Sequence, residues 1–236
     1  MIMKDKDIKT AGNVDILKGI IKQEVLTWKY MKVVTFCELK KTVPSSCRMQ
    51  ELRKALSELV TEKVIIEPYH DVYARNVETR FGPLLPPMDN IAGKIAELFH
   101  EHIMPDGYHA LNNLGLSTQV PMVYGYVTDG KSRTFMIHDF KVTFTHVPGW
   151  CFKIDNPLWR MLVQAIRIEG RRNISYYMKN KNEEESIRFN SGVKRIMLKN
   201  DFSFGLYEVQ MSVWKIPQWI RKYMDFVYYG IYQSNK

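Results

Sequence analysis

Cysteine is scarce in this chain: Cys37, Cys47 and Cys151 are an odd number with no close pair. That argues against a disulfide framework and against a zinc ribbon, and makes a reducing cytoplasm the expected setting. Long hydrophobic runs are missing too. No stretch approaches the ~20 apolar residues needed to cross a bilayer, so no membrane-spanning helix is expected. The segment Met1–Thr10 alternates Lys and Asp with few apolar residues, which suits neither a signal peptide nor a transit peptide and reads as a frayed arm. Internal repeats and low-complexity tracts are absent. Clustered carboxylates for acid–base work are absent as well, and Glu183-Glu184-Glu185 reads as a solvated loop. His100 and His102 stand at i and i+2, where helical side chains point apart, so they do not share a metal. No catalytic residue, metal or cofactor is expected, and the chain does not read as an enzyme.

Positive charge, in contrast, is in excess and unevenly placed. The net charge of +9 divides into 15 Lys/Arg against 11 Asp/Glu in residues 1–80, 4 against 6 in 81–149, and 15 against 8 in 150–236. Basic surface attracts phosphate backbones through counterion release, without sequence choice. Solubility alone would also account for a high pI, so charge favours nucleic acid by a narrow margin.

The order of elements says more. Ile16, Leu17, Ile20, Ile21, Glu24, Val25 and Trp28 carry the three–four spacing of a core-facing stripe, predicting a helix from Val14 to Trp28 capped by Asn13. Val33-Val34-Thr35-Phe36 is β-branched, and Thr35 can cap a short helix over Phe36–Lys41. Pro44-Ser45-Ser46 then introduces an amphipathic helix ending near Lys63. Two β-rich runs, Val64–Glu67 and Val72–Arg75, join through Pro68-Tyr69-His70-Asp71. A strand, two helices in a tight turn and a hairpin make a winged helix-turn-helix, a fold that places one helix in a DNA groove. This domain is expected over residues 1–80, followed by the proline-stiffened linker Phe81–Pro87.

A second α+β domain is expected over 81–236. It opens with a helix from Asn90 to about His102, a turn at Pro105-Asp106-Gly107 and a short helix near Ala110–Leu114. Strands Val120–Thr128, Arg133–His138 and Lys141–His146 follow, with Asp129-Gly130 and His138-Asp139 as turns, giving an antiparallel meander. Helices close the chain: one from Asn156-Pro157 burying Leu158, Met161, Leu162, Ala165 and Ile168, one over Ile187–Lys199 after a polar loop, and one from Pro217 to about Tyr229. In the last, Trp219, Ile220, Tyr223, Met224 and Val227 share a side that suits docking into a core better than a membrane surface. The fold class is therefore α+β, a winged helix followed by a small antiparallel sheet and C-terminal helices.

On the helix after Pro44, Leu52, Leu56, Leu59 and Lys63 fall toward the core, with Ala55 and Val60 at the margins. Ser46, Gln50, Arg53, Lys54 and Ser57 lie opposite and are the candidate DNA-binding set. Gln and Arg match adenine and guanine edges, while Ser and Lys reach phosphates. The hairpin tip Tyr69-His70-Asp71 has no cation, and Asp71 would repel phosphate; Arg75 and Arg80 are the candidates to compensate. In the last third, Arg160, Gln164, Arg167 and Arg171 recur at helical spacing as a basic ridge for phosphate or an acidic partner. Gly125 to Ser132 formally matches a phosphate-binding loop, but a strand rather than a helix follows it, which removes the converging amides such a loop needs. Two other function classes remain: an adaptor whose winged helix binds protein, and a nucleotide-binding enzyme at Gly125–Ser132.

Leu114-Gly115-Leu116-Ser117-Thr118-Gln119-Val120-Pro121, then Val127-Thr128-Asp129-Gly130 and Ser132-Arg133-Thr134, resemble the AbiEi-type antitoxin-like family of bacterial type IV toxin–antitoxin systems. Ile216-Pro217-Gln218-Trp219-Ile220-Arg221 is similar to that family's closing Pro-x-Trp-(Met/Ile)-Arg segment. With the leading winged helix, the resemblance spans nearly the whole chain. The polar loop Lys179–Ser186 and the uncharged wing tip depart from the family pattern. The resemblance implies a regulator that binds double-stranded operator DNA and represses its own operon. It also implies a C-terminal domain that counteracts a nucleotidyltransferase-like toxin, without a tight complex being required.

Overall fold

A computed structural model of the chain describes residues 5–199, Tyr207, Met211 and 215–234, with side chains from Asn13 to Gly230 within those limits. The molecule is α+β. Its contacts divide it into a first unit, Met1–Glu101 with Ile137–Asp139, and a second, His102–Met136 with Phe140–Lys236.

The first unit opens with α1 (Asp5–Leu26), β1 (Val33–Thr35), α2 (Phe36–Thr42), α3 (Met49–Thr61), β2 (Ile65–Tyr69) and β3 (Val72–Arg75). Val14, Leu17, Ile21 and Val25 of α1 are buried at helical spacing, with Trp28 just beyond the helix. Three expectations are corrected here. Ile16 is exposed, the chain is already helical from Asp5 rather than frayed, and Asn13 lies inside α1 with its side chain against Glu51 at 3.4 Å instead of capping. Met1–Lys4 lie outside the described residues. The cap of α2 is as expected: Thr35 Oγ1 accepts the Glu38 amide at 3.3 Å, and the Glu38 carboxylate accepts the Thr35 amide at 2.7 Å.

α3 begins later than Pro44-Ser45-Ser46 suggested. Those residues form a turn closed by the Cys47 amide donating to the Pro44 carbonyl at 2.9 Å, and the Glu51 carboxylate takes the Arg48 amide at 3.1 Å. From there Leu52, Ala55, Leu56 and Leu59 form a fully buried stripe in one cluster with the apolar face of α1. The sheet is antiparallel in the order β1-β3-β2, with Val34 opposite Tyr73 and Ile65 opposite Arg75. β2 is an edge strand, where Pro68 is tolerated beside an irregularity between Ile66 and Tyr69.

The unit does not stop at Arg80. The expected linker contains half of a small hairpin, β4 (Glu78–Thr79) with β5 (Gly82–Pro83), and then leads into α4 (Met88–Leu98). α4 buries Ile91, Ala92, Ile95 and Ala96 and packs on β1, β2 and β3, so it belongs to the first unit rather than opening the second. Lys94 fixes it at the edge, bridging Glu38 at 2.8 Å and Glu97 at 2.9 Å.

The second unit contains β6 (Ile103–Pro105), α5 (Gly107–Asn113), β7 (Tyr124–Thr128), all of β8 (Arg133–Ile137) but its last residue, and β9 (Phe140–His146). A 3-10 turn over Gly149–Phe152 leads into α6 (Pro157–Lys179), α7 (Glu184–Lys199) and α8 (Gln218–Ser234). The first half of the meander is overturned, while β8 and β9 are neighbours across the expected turn at His138-Asp139. Strand order is β6-β7-β9-β8, and β7 runs parallel to β9, with Tyr126 opposite Phe144. The Asp129–Ser132 connection passes the end of β9, where Ser132 Oγ accepts the His146 amide at 2.9 Å and His146 Nδ1 lies 2.7 Å from the Gly130 carbonyl oxygen. Asp129 is not a hairpin residue: its carboxylate takes the His102 amide at 2.8 Å and meets His102 Nδ1 at 2.7 Å.

Asp106 caps α5, with Oδ1 accepting the His109 amide at 2.9 Å and lying 3.0 Å from His109 Nδ1. Burial acts to raise its carboxyl, but these His109 contacts prevail and hold it below the ordinary carboxylate range. The same carboxylate lies directly against Gly125 of β7, where a side chain would collide with it. Trp159, Leu162, Val163, Ala165 and Ile166 of α6 share a core with Phe189, Val193 and Ile196 of α7 and Ile220, Tyr223, Met224 and Val227 of α8. Ile168, expected in that core, is exposed.

Candidate nucleic-acid interface

The burial of α3 leaves a polar side turned to solvent. Gln50, Arg53, Lys54 and Ser57 are all exposed on it, and Ser46 is exposed in the turn before it. The structure therefore brings four of the candidate DNA-binding residues onto one helical face. Arg53, however, is already engaged. Its guanidinium grips Asp71 through two bonds, at 2.6 and 3.1 Å, and stacks over the Phe36 ring at 4.3 Å from the centroid. Asp71 stands in the β2–β3 turn with a left-handed backbone, φ 62°. Arg53 holds the Asp71 carboxyl below its ordinary range, against the opposing effect of partial burial. Two sequence expectations change together: Arg53 is not a free probe, and Asp71 is not a bare repulsive charge.

Lys54 has no ion pair among the described residues and is the available cation of the face, with Gln50 one turn before it. Arg48 is largely exposed at the start of α3 but is paired with Glu51 at 2.7 Å. Arg75 is not part of this surface: it reaches the Trp28 carbonyl beyond α1 at 3.4 Å. Arg80 stacks on Phe81, 4.6 Å from the ring centroid. Glu67, His70 and Asp71 bring potential ligating atoms within 4.8 Å of one another, but both oxygens of Asp71 are held by Arg53. A guanidinium already balances the charge that a cation would answer there.

The basic ridge of α6 does not exist as one surface. Gln164 is buried, with its carbonyl oxygen taking Arg167 at 3.4 Å. Arg160 turns back to the Ile154 and Asp155 carbonyls at 2.9 and 3.3 Å. Between Arg167 and Arg171 the helix is interrupted at Gly170, with φ 80° and ψ 158°. Arg171 alone of the set is exposed, and it lines a groove of about 490 Å³ between α6 and α8. Composition alone missed that groove, although the Pro217-Gln218-Trp219 segment that edges it was visible in the sequence.

The Gly125–Ser132 stretch runs from β7 through a turn into β8, so no helix N-terminus follows its glycines. His102 faces Asp129, and His100 adopts a positive φ of 56° just beyond α4. Glu185 is not in a loop but in the first turn of α7, accepting the Tyr177 hydroxyl at 3.3 Å. No helix among the described residues is long and apolar enough to cross a membrane.

Fold and surface together define an α+β protein whose N-terminal half presents one helix with a polar outer face. Residues 31–188, more than half of the chain, match a family of unknown function (DUF6088), and the chain belongs to that family. No curated protein matches the chain.

Proposed function

We propose that the first unit is a winged helix and that the protein is a DNA-binding transcriptional regulator acting in the cytoplasm without enzymatic activity. The observation that carries this reading is the orientation of α3: its apolar stripe is fully buried, and Gln50, Lys54 and Ser57 project outward without carboxylate partners among the described residues. Gln50 meets base edges near the start of the helix, and Lys54 and Ser57 meet phosphate. The resemblance to AbiEi-type antitoxins extends the proposal to repression of the protein's own operon and to counteracting a nucleotidyltransferase-like toxin. Replacing both Gln50 and Lys54 by Ala is expected to weaken binding to an upstream operator fragment by ~10-fold or more and to reduce the salt slope by about one. Equal affinity of the double variant would refute docking through α3.

One observation favours a second reading, a protein-binding winged helix. Much of the cationic surface here is internally paired: Lys18 with Glu58 and Glu62, Lys22 with Glu62, Arg48 with Glu51 and Arg53 with Asp71. Absence of binding to any duplex at low salt would select that reading.

A further inference from the structure

The groove between α6 and α8 carries a charge pattern that the DNA reading leaves unused. It is lined by Arg171, Ser175 and Lys179 of α6 and by Gln218, Trp219 and Lys222 of α8, with Ile174 and Met178 at its base. Arg171, Lys179 and Lys222 are exposed, have no ion pair among the described residues, and share the lining with no carboxylate. Gathering three cations without a counter-charge is unfavourable in isolation and becomes favourable when an anion binds between them. Trp219 packs against the helical core, is partly buried, and lines the groove.

We propose that this groove binds a free nucleotide, with phosphates on Arg171, Lys179 and Lys222 and the base against Trp219. A phosphate chain needs the cations, and a planar aromatic base explains an indole beside them. Ser175 and Gln218 supply hydrogen-bonding groups suited to a sugar or base edge. The volume of about 490 Å³ suits one small ligand rather than a tract of strand. The kink at Gly170 places Arg171 at the start of the segment that lines the groove, apart from Arg160 and Arg167. The inference does not depend on α3 binding DNA, because the two sites lie on different units.

The test is calorimetric titration of the full chain with ATP, with GTP, with inorganic triphosphate and with guanosine. At least one nucleotide is expected to bind, with triphosphate weaker and guanosine weaker still. Arg171→Ala with Lys222→Ala should weaken nucleotide and triphosphate alike by at least tenfold. Trp219→Leu should weaken the nucleotide about tenfold and leave triphosphate unchanged, a split that a purely structural role for the indole would not give. Both substitutions of cations are at exposed positions, and an unchanged melting temperature confirms that the variants fold; operator binding measured on the same samples reports separately on the first unit. The proposal is overturned if the parent binds no nucleotide at millimolar concentration. It is equally overturned if the double variant binds as well as the parent, or if a ten-nucleotide single strand binds where mononucleotides do not.

Discussion

Arg53 shows how a residue can be in the expected place and still have a different role. Its position on the outward side of α3 followed from helical spacing around Leu52. What spacing could not reveal is that the hairpin turn brings Asp71 back over it, eighteen positions later in the chain, while Phe36 supplies an aromatic face from α2. The guanidinium is thus engaged by neighbours from two other elements while remaining partly open to solvent. If Asp71 masks Arg53, then Asp71→Ala removes one negative charge from the surface and releases one cation toward the duplex. Affinity for DNA at low salt is expected to rise several-fold, with the salt slope steeper by about one contact, while stability falls by about 1–2 kcal/mol, a small part from the partly solvated pair and the rest because Ala tolerates the φ of 62° less well than Asp. Salt-dependent binding isotherms of parent and variant check this. Weaker binding by Asp71→Ala would mean that the pair instead holds Arg53 in its DNA-contacting position.

At the scale of elements, legibility tracked how local the determining forces are. The Thr35 cap of α2, the buried stripe of α3 and the β2–β3 hairpin depend on neighbours a few residues apart, and each is where the sequence placed it. The β7–β9 pairing depends on which strand fills the gap beside β7, and Asp129-Gly130 suggested a hairpin because a local signal says nothing about a third strand. α4 was assigned to the wrong unit for a similar reason: its apolar face is plain, but not the sheet that covers it. The candidate site followed the same rule, since exposure of Gln50 and Lys54 was readable from α3 alone, whereas the loss of Arg53, Arg75 and Gln164 to other partners was not. Gly170 is a locally visible residue with a non-local effect. Its φ of 80° and ψ of 158° fall where side-chain-bearing residues are strained, and no atom lies within 4 Å of where a Cβ would stand. Gly170→Ala should therefore lose about 1–3 kcal/mol through the backbone alone. Gly93→Ala, in the ordinary helix α4 with equally open surroundings, should gain up to about 1 kcal/mol. Urea midpoints distinguish these opposite signs, and a Gly170→Ala protein as stable as the parent would show that the kink is not required.

Across the whole molecule, both units rely on carboxylates whose protons are held off by neighbours. In the first, Glu62 is depressed by Lys18 and Lys22, and Asp71 by Arg53. In the second, burial opposes but does not overcome the His109 contacts that depress Asp106, and the same balance with His102 depresses Asp129. A carboxyl whose folded pKa lies below its unfolded value stabilises the folded state above the unfolded value, about 4, and loses that contribution as pH falls through the folded one. The contribution of these groups should therefore persist from neutral pH to about pH 5 and disappear progressively below about pH 4. Asp106→Asn isolates one of them, because Asn remains a competent helix cap while losing the charge that strengthens the His109 bonds. The variant is expected to be less stable than the parent by about 1 kcal/mol at pH 7, with the gap closing towards pH 3 as the parent's own Asp106 becomes protonated. Urea unfolding of both proteins at a series of pH values, followed by far-UV circular dichroism, measures that gap directly. A difference that stays constant from pH 7 to pH 3 would place the effect of Asp106 in its shape against Gly125 rather than in its charge.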